Sequence, residues 1–447
     1  MKNNLHYTEI SKLSQYRIFK KYVQEILVET IESFFNCNVI IYTHPAKIFL
    51  EEFNIDIHQN NARGFYPIDE SNLLLLGRIF KNKTLISSVG FKLSGLDVER
   101  TSKLLNVFER ALTHFLTSEF SLYFENSSII FGDEIIKKTM ATYISKGGYD
   151  ARQIRHLIEY FFKLRTTSFE GRYFSTGAIF TKTHNFLTGK FDSLRHGHTF
   201  GLEKPFHISI TNNINKRIWY LVDGKTSFFL GNKNLNFRSI FTINSQYAEN
   251  NFIDSHSLSL TLKGGDFLIK VENEKLMSIN LSGGDEFLFF ENKWKFRNYT
   301  HLKNLLLKNI NSDIELVDSI LFYIITCSKS QISTILWFPE DLKNIDCLIN
   351  PKTKNSFLKE KINIKNKHAI KHLLRCISSD GACVFSNTGI LEHIGVIVNL
   401  ENAKASGMTG TGETAAAILK QNGLAIKVSQ DGLIKIFTKN NDSAYIF

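Results

Sequence analysis

The middle of the chain constrains the fold most, because it is rich in predicted strands and lies between regions of helical periodicity. From 169 to 299, β-branched and aromatic residues are punctuated by Gly, Asn and Asp, a pattern typical of strands joined by tight turns. A helical segment at 151–164 precedes this region. Strands are predicted within it at 206–210, 217–222 and 257–262.

The N-terminal region combines segments of helical periodicity with predicted strands. Helices are predicted at 16–35 and 96–124, and strands at 39–42, 73–76 and 85–91. This order of helix, strands and helix resembles a small sensory module of the GAF or PAS type. The resemblance implies a mixed α+β fold for this part of the chain.

The length and composition indicate several folded domains. A chain of 447 residues allows roughly two to four domains. Apolar residues make up 43% and charged residues 22%, which is typical of globular proteins and excludes a fibrous or largely disordered chain. We predict an α/β and α+β multidomain protein. Its parts are a mixed α+β sensor-like module at 1–130, a β-rich region at 131–305 and a domain of alternating helices and strands at 306–447.

The sequence predicts a cytoplasmic protein without a membrane span. No apolar stretch approaches the roughly 18 residues that a spanning helix needs. The N-terminal sequence lacks the apolar segment of a secretory signal. Five cysteines without a CxxC pair are interpreted as reduced core residues.

The net charge of +11 raises the question of nucleic-acid binding. The basic residues are scattered along the chain, and no block of five consecutive basic residues occurs. We therefore do not predict nucleic acid as a partner.

The chemistry of the chain is concentrated near its C-terminal end. A strand at 382–385 follows Asp380 and Gly381, and a loop of small residues at 406–412 leads into a helix at 414–421. A glycine-rich loop that opens a helix offers backbone N–H groups and the positive end of the helix dipole to a phosphate. The alternative is a tight turn in which the Thr411 hydroxyl caps the helix.

Two short motifs in this segment carry a resemblance to a known family. The first is Asp-Gly-Ala at 380–382, and the second begins with Gly-Thr at 410–411 and ends with Ala-Ala at 415–416. They resemble the DGA and GTRHRAA motifs of the diadenylate cyclase (DAC) domain, the nucleotide-binding domain of DisA-type proteins. Thirty positions separate Asp380 from Gly410, as in the family. The segment 428–432 is similar to the family's later Ser-Glu-Glu turn, and the resemblance covers 310–447.

The resemblance implies a mixed sheet wrapped by helices and a reaction between two ATP molecules held by two facing domains. Each ATP offers its 3′-hydroxyl to the α-phosphate of the other, giving cyclic di-AMP and two pyrophosphates. It also implies Mg²⁺ or Mn²⁺ as cofactor, ATP or a cyclic dinucleotide as ligand, and a homo-oligomer formed through the DAC-like domains. Asp380 is implied to bind the metal and activate the hydroxyl. The implied nucleotide-binding residues are Gly381, Ala382, Gly410, Thr411, Gly412, Thr414 and Ser429.

The chain departs from the family at Gly412, Glu413 and Thr414, where the family has Arg-His-Arg. Each lost charged hydrogen bond to a phosphate typically weakens binding by about 1.5–3 kcal/mol. In one interpretation, Asp380 and Glu413 are catalytic and bind a metal ion together with Asp431. In a second, the site is a catalytically inactive module that senses a nucleotide or cyclic dinucleotide. In a third, Glu413 is a first-turn carboxylate stabilised by the helix dipole.

The region before this domain is similar to a sensor. The segments 167–171 and 176–180 resemble sensor regions labelled DACNV, which precede DAC-like domains in some bacterial proteins. The similarity implies that residues 1–305 form a sensory region attached to a DAC-like output domain. An alternative assigns ligand binding to the β-rich region and dimerisation to the C-terminal domain.

Three further groups of side chains are candidates for metal binding or for a catalytic thiol. The first histidine pair is spaced to share one face of a strand, with a surface loop as the favoured alternative. The second pair is spaced to share one face of a helix, with a solvated basic face as the favoured alternative. The cysteines lie near the DGA motif but lack a base at recognisable spacing. The groups are His196 and His198 with Asp192, His368 with His372, and Cys376 with Cys383.

Overall fold

The computed structural model describes residues 27–42, 64–81, 84–116, 129–182, 197–208, 216–244, 262–310, 314–355, 359–400, 410–440 and 444–447. Over these ranges the chain forms eight α-helices, three sheets of four, eight and six strands, and one separate two-stranded hairpin. The predicted α/β and α+β multidomain fold is confirmed. None of the helices in these ranges is long and apolar enough to cross a membrane.

The first sheet lies in the N-terminal region. Its strands are β1 (Asn38–Tyr42), β2 (Phe65–Pro67), β3 (Asn72–Lys81) and β4 (Thr84–Ser94), with α1 (Val28–Phe35) before them and α2 (Val98–His114) after them. The strands pair antiparallel in the order β1-β4-β3-β2. The predicted strands are confirmed. The predicted helices at 16–35 and 96–124 are confirmed only where described, because 16–26 and 117–124 lie outside the described residues.

Two helices connect this sheet to the next, namely α3 (Ile129–Ser145) and α4 (Ala151–Arg165). The Asp150 side chain accepts a hydrogen bond from the backbone N–H of Gln153, which caps the start of α4. Buried residues recur along α4 at the helical spacing, so one face packs on the core. The predicted helix at 151–164 is confirmed.

The middle region forms the largest sheet, which follows a hairpin of β5 (Ser168–Phe169) and β6 (Arg172–Tyr173). The strands of the sheet are β7 (Thr176–Phe180), β8 (Gly197–His207), β9 (Ser227–Gly231), β10 (Asn236–Ile243), β11 (Phe267–Asn273), β12 (Leu276–Leu281), β13 (Asp285–Phe290) and β14 (Lys293–Asn298). Their order is β14-β13-β12-β11-β7-β9-β10-β8. The β-rich prediction is confirmed, while most of the strand predicted at 257–262 lies outside the described residues.

The strand predicted at 217–222 is wrong. This segment forms a 3₁₀ helix, Lys216–Leu221. Trp219 is buried and donates its indole N–H to the Tyr160 hydroxyl at 3.0 Å, whereas Tyr220 and Leu221 are exposed. The segment therefore has one anchored aromatic side chain instead of the alternating buried face of a strand, and an apolar run does not distinguish these cases.

The C-terminal region forms the third sheet and four helices. The elements are α5 (Tyr299–Ile310), α6 (Ile314–Lys329), β15 (Thr334–Phe338), α7 (Ile370–Ile377), β16 (Ala382–Phe385), β17 (Leu391–Val396), α8 (Thr411–Leu419), β18 (Leu424–Val428), β19 (Ile434–Phe437) and β20 (Tyr445–Ile446). The strand order is β17-β16-β15-β18-β19-β20. β15 and β16 are parallel, and the other neighbours are antiparallel.

This sheet carries helices on both faces because its residues alternate between two cores. Leu336 and Ile426 belong to the core that contains α5, α6 and α7. Ile335 and Ala425 belong to the core that contains α8. The arrangement agrees with the mixed sheet wrapped by helices that the resemblance implied.

The apolar cores divide the chain near residue 298. One buried cluster extends from Leu27 to Phe296, so the N-terminal module and the β-rich region share it. A separate cluster extends from Tyr299 to Phe447. The boundaries at 130/131 and 305/306 stay predictions.

Candidate functional site

The residues singled out from the sequence converge at one end of the C-terminal sheet. β15 and β16 both begin at this end, and β18, which is antiparallel to β15, finishes there. The residues before β16 and the turn after β18 therefore lie at the same edge of the sheet. Since α8 leads back into β18, its first turn lies at this edge as well.

Asp380 and Gly381 form a turn that requires glycine. The φ angle of Gly381 is +88°, and a Cβ there would lie 2.7 Å from the carbonyl carbon of Gly395 and 2.8 Å from the carbonyl oxygen of Val396. Asp380 is exposed, and its carboxylate accepts a hydrogen bond from the Gly381 N–H at 2.9 Å. The turn therefore packs against β17 and presents the Asp380 carboxylate at the site, while Ala382 is buried at the start of β16.

The first turn of α8 is suited to an anion. Gly410 occupies the N-cap position with an extended backbone, and no side-chain hydrogen bond from the described residues caps the helix. The Thr411 hydroxyl is therefore not the cap, and Thr414 donates its hydroxyl back to the Gly410 carbonyl at 3.0 Å. Helix N–H groups without a side-chain cap attract negative charge. Residues 406–409 of the predicted loop lie outside the described residues.

Two lysines that motif analysis missed lie beside this turn, and we call Lys427 and Lys435 the lysine pair. They are directly opposite each other on β18 and β19, so both project from the face of the sheet that packs on α8. Lys427 Nζ donates to Ser333 Oγ at 2.6 Å. A Cβ at Gly412 would lie 3.1 Å from the same Nζ, so the absence of a side chain at Gly412 leaves room for the ammonium next to α8.

The electrostatic surroundings of Lys427 connect the Asp380 turn with the turn after β18. Burial lowers the pKa of Lys427, and the carboxylates of Asp431 and Asp380 oppose this shift. A phosphate bound between Lys427 and the N-terminus of α8 would reduce the cost of burying this charge.

Glu413, which stands at the histidine position of the GTRHRAA motif, is paired with one member of the lysine pair. Its Oε2 accepts a hydrogen bond from Lys435 Nζ at 2.8 Å, and both side chains are largely shielded from solvent. Glu413 lies in the first turn of α8, as the third interpretation expected. The ion pair neutralises the carboxylate, so it does not face an incoming phosphate as an unpaired negative charge.

The turn after β18 carries the remaining predicted residues, Ser429 and Asp431. The Ser429 N–H donates to the Leu433 carbonyl at 2.9 Å, and the Gly432 N–H donates to the Ser429 carbonyl at 3.0 Å. Asp431 Oδ1 accepts from the Leu433 N–H at 3.2 Å. These bonds give the turn a defined shape beside Lys427.

The carboxylates proposed to bind a metal, Asp380, Glu413 and Asp431, do not form one cluster. In the part of the chain that the structure describes, no three or more His, Cys, Asp or Glu side chains are placed to hold a metal ion. Glu413 binds Lys435, and Asp431 accepts a backbone hydrogen bond. The donors do not fit a three-carboxylate centre. Mg²⁺ or Mn²⁺ as cofactor stays a prediction, with Asp380 as the residue that would hold the ion.

The histidine candidates are not gathered into a site within the described ranges. His196 and Asp192 lie outside those ranges, and His198 is exposed on β8. His368 precedes α7 in a short 3₁₀ turn, Lys367–Ala369, and is exposed like His372. These positions agree with a solvated basic surface.

The cysteines near the DGA motif do not have the properties of a nucleophile. Burial raises the pKa of the Cys383 thiol to about 12, and the thiol donates to the Cys376 carbonyl at 3.2 Å. Burial also raises the pKa of Cys376. Because the thiolate is the reactive form, the raised pKa values argue against a catalytic thiol at either residue.

Comparison with known proteins gives a likeness for part of the chain. No protein-family model and no curated protein matches it. One similar solved structure is a double mutant of DacA from Staphylococcus aureus, 20% identical, with a TM-score of 0.22 over 28% of this chain and 83% of that chain. Another is a hypothetical membrane-spanning protein from Bacillus cereus, 18% identical, with a TM-score of 0.23 over 29% of this chain and 62% of that chain. We therefore interpret the site from its own residues and contacts.

Proposed function

We propose that the C-terminal domain binds ATP and is the output domain of a cytoplasmic signalling protein. The observation that supports this most is the position of Lys427, next to the first turn of α8 and within the electrostatic reach of Asp380. Backbone N–H groups of α8 and the Lys427 ammonium would donate to the same phosphate group. The loss of the family's Arg-His-Arg is thereby compensated by a cation from a neighbouring strand.

We further propose a diadenylate cyclase-type reaction in a homo-oligomer whose C-terminal domains face each other. The 3′-oxygen of each ATP forms a bond to the α-phosphorus of the other, and the bond between that phosphorus and the oxygen leading to the β-phosphate breaks. Asp380 accepts the proton of the 3′-hydroxyl, and pyrophosphate leaves. Such transfer depends mainly on positioning and on neutralising charge at the phosphates.

A divalent cation, Mg²⁺ or Mn²⁺, would neutralise part of the triphosphate charge when bound. Asp380 is the residue of this chain that would hold it, since Glu413 and Asp431 have other partners. Lys427 would neutralise charge at the phosphates from the other side of the site.

The alternative function is nucleotide sensing without turnover. It is favoured by the ion pair between Glu413 and Lys435, because Lys435 is then engaged and does not neutralise charge at the phosphates as turnover would require. In this case the ligand would be ATP or a cyclic dinucleotide, and residues 27–298 would respond to its binding.

Product analysis distinguishes the two functions. We expect full-length protein incubated with ATP and Mg²⁺ or Mn²⁺ to form cyclic di-AMP, detected by mass spectrometry, and Asp380→Asn to form at least about 100-fold less, as is typical when a catalytic proton acceptor is removed. Asp346→Asn is the matched control, because Asp346 lies in the same domain and pairs with Lys354 on the surface. A wild-type protein that binds ATP but yields no product would leave sensing as the function.

A further inference from the structure

The turn that carries Ser429 and Asp431 is contacted from outside its own domain. Lys295 Nζ on β14 donates to the Asp431 carbonyl at 2.8 Å. Arg297 Nη2, two residues further along the same strand, donates to the Gly432 carbonyl at 2.7 Å and to Ser328 Oγ at 2.8 Å. Two cations of the β-rich sheet therefore bind consecutive carbonyl groups of a turn in the candidate nucleotide site.

The turn is also closely packed at this contact. Gly432 has a φ angle of +79°, and a Cβ there would lie 3.0 Å from a ring carbon of Phe290 on β13 and 3.2 Å from the Ser328 carbonyl oxygen. Ser328 donates its hydroxyl to the Gly432 carbonyl as well. The turn thus has little freedom to shift while β13 and β14 keep their positions.

The contact surface is polar although it is buried. Arg297 is 2% exposed and Lys295 is 7% exposed. On the neighbouring strand β13, the fully buried Glu286 accepts from Lys329 Nζ at 2.8 Å and from the Tyr299 hydroxyl. Buried charges are costly, and their geometry depends on every partner staying in place. Such an interface is sensitive to small displacements of either side.

β14 also contacts the N-terminal half of the chain. Trp294 and Phe296 point away from the turn into the core shared by the first two regions. Asn36, at the end of α1, donates to the Phe296 carbonyl at 3.1 Å, and this contact is buried. The exposed ion pair between Lys293 and Glu29, at 2.7 Å, contributes little to the coupling. A displacement of α1 or of this core would therefore shift β14 as well.

We propose that Lys295 and Arg297 are positioning residues that hold the Ser429–Gly432 turn, so that residues 27–298 regulate nucleotide binding through β14. The proposal rests on the proposed function, because it assumes that the site beside this turn binds ATP. Lys295 acts on the Asp431 carbonyl, and the Asp431 carboxylate lies within electrostatic reach of Lys427. The effect on the ligand is thus transmitted through the turn and not by direct contact.

Lys295→Met is the variant that tests this. Burial, reinforced by Arg297, lowers the pKa of Lys295 to about 8, so the charge is costly in the folded protein and methionine is a tolerable replacement. Lys295→Arg restores a donor to the Asp431 carbonyl. Lys293→Met is the matched control, because Lys293 lies on the same strand but pairs with Glu29 instead of contacting the turn.

Two measurements on the full-length variants test separately whether Lys295 holds the turn and whether the turn affects ATP binding. In the protein without ligand, Lys295→Met should increase hydrogen–deuterium exchange at the backbone amides of 429–434. By calorimetry, ATP affinity should fall by about five- to tenfold, a typical size for coupling between sites. Lys295→Arg should recover both values, and Lys293→Met should change neither.

The outcomes separate this proposal from the proposed function. Unchanged exchange at 429–434 in Lys295→Met overturns the positioning role, whatever the ligand does. Increased exchange with unchanged ATP affinity overturns regulation through the turn. If wild-type protein binds no ATP, the proposed function fails and the regulatory role fails with it, while the exchange result still shows whether β14 holds the turn.

Discussion

Replacing Lys427 with methionine is expected to lower the affinity for ATP by about 10- to 100-fold, since a charged hydrogen bond to phosphate contributes about 1.5–3 kcal/mol and 1.4 kcal/mol is a factor of ten. The methionine keeps the apolar part of the side chain in place. Burial already lowers the pKa of Lys427, so removing its charge should not destabilise the domain. Calorimetric titration of the full-length variant with ATP and Mg²⁺ measures the change.

A matched lysine provides the control for this experiment. Lys439 lies in the same domain, is exposed, and pairs with Glu340 at 3.2 Å away from the candidate site. Lys439→Met should leave ATP affinity within about twofold of wild type, since surface ion pairs contribute little. An equal loss in both variants would mean that the effect reflects overall charge, and no loss in Lys427→Met would contradict its role at the phosphates.

Replacing Glu413 with glutamine is expected to raise ATP affinity by about fivefold, because the neutral ion pair beside the phosphates becomes a single positive charge, which contributes roughly 1 kcal/mol in a solvent-like environment. The change also releases Lys435 from the ion pair, so that its ammonium can bind a phosphate oxygen. Glutamine has nearly the same shape as glutamate, which keeps the first turn of α8 intact. Calorimetry with and without Mg²⁺ measures the effect.

A loss of ATP affinity in Glu413→Gln would instead indicate that Glu413 is a metal ligand. If Glu413 were a metal ligand, Glu413→Gln would weaken Mg²⁺-dependent binding of ATP and leave metal-free binding unchanged. Glu340→Gln is the control, because Glu340 pairs with an exposed lysine outside the site. A Mg²⁺-specific loss in Glu413→Gln alone would contradict the ion-pair role assigned to this residue.

Local features of the site could be predicted from the sequence because short segments determine them. The strand at 382–385, the glycine of the turn before it and the helix after Gly410 all depend on neighbouring residues, and the structure has each of them. The helix begins three residues before its predicted start at 414.

The lysine pair could not be derived in the same way. Lys427 and Lys435 become neighbours only through the register of β18 and β19, and their approach to α8 depends on how the helix crosses the sheet. A signal was nevertheless present, because each lysine interrupts a short apolar strand, in Leu424–Val428 and Ile434–Phe437. A charged residue inside a predicted core strand indicates a partner that the strand alone does not show.

The contact between β14 and the site turn was beyond sequence reasoning for a related reason. Arg297 and Gly432 are 135 positions apart, and no motif connects them. Lys295 and Arg297 resemble the outward-facing residues of a strand with one solvated face, yet both are buried against the next domain. Only the packing of the two sheets distinguishes a solvated face from a buried polar interface.

Hydrogen–deuterium exchange of the full-length protein with and without ATP and Mg²⁺ tests the central claim most directly, because it locates the ligand without assuming turnover. Binding of the triphosphate by α8 and Lys427 predicts slower exchange in the peptides that cover 410–419 and 424–435. At an ATP concentration near the wild-type dissociation constant, Lys427→Met should show little of this protection. Unchanged exchange in these peptides at saturating ATP, or protection confined to the β-rich sheet at 176–298, would contradict the assignment of the nucleotide site to the C-terminal domain.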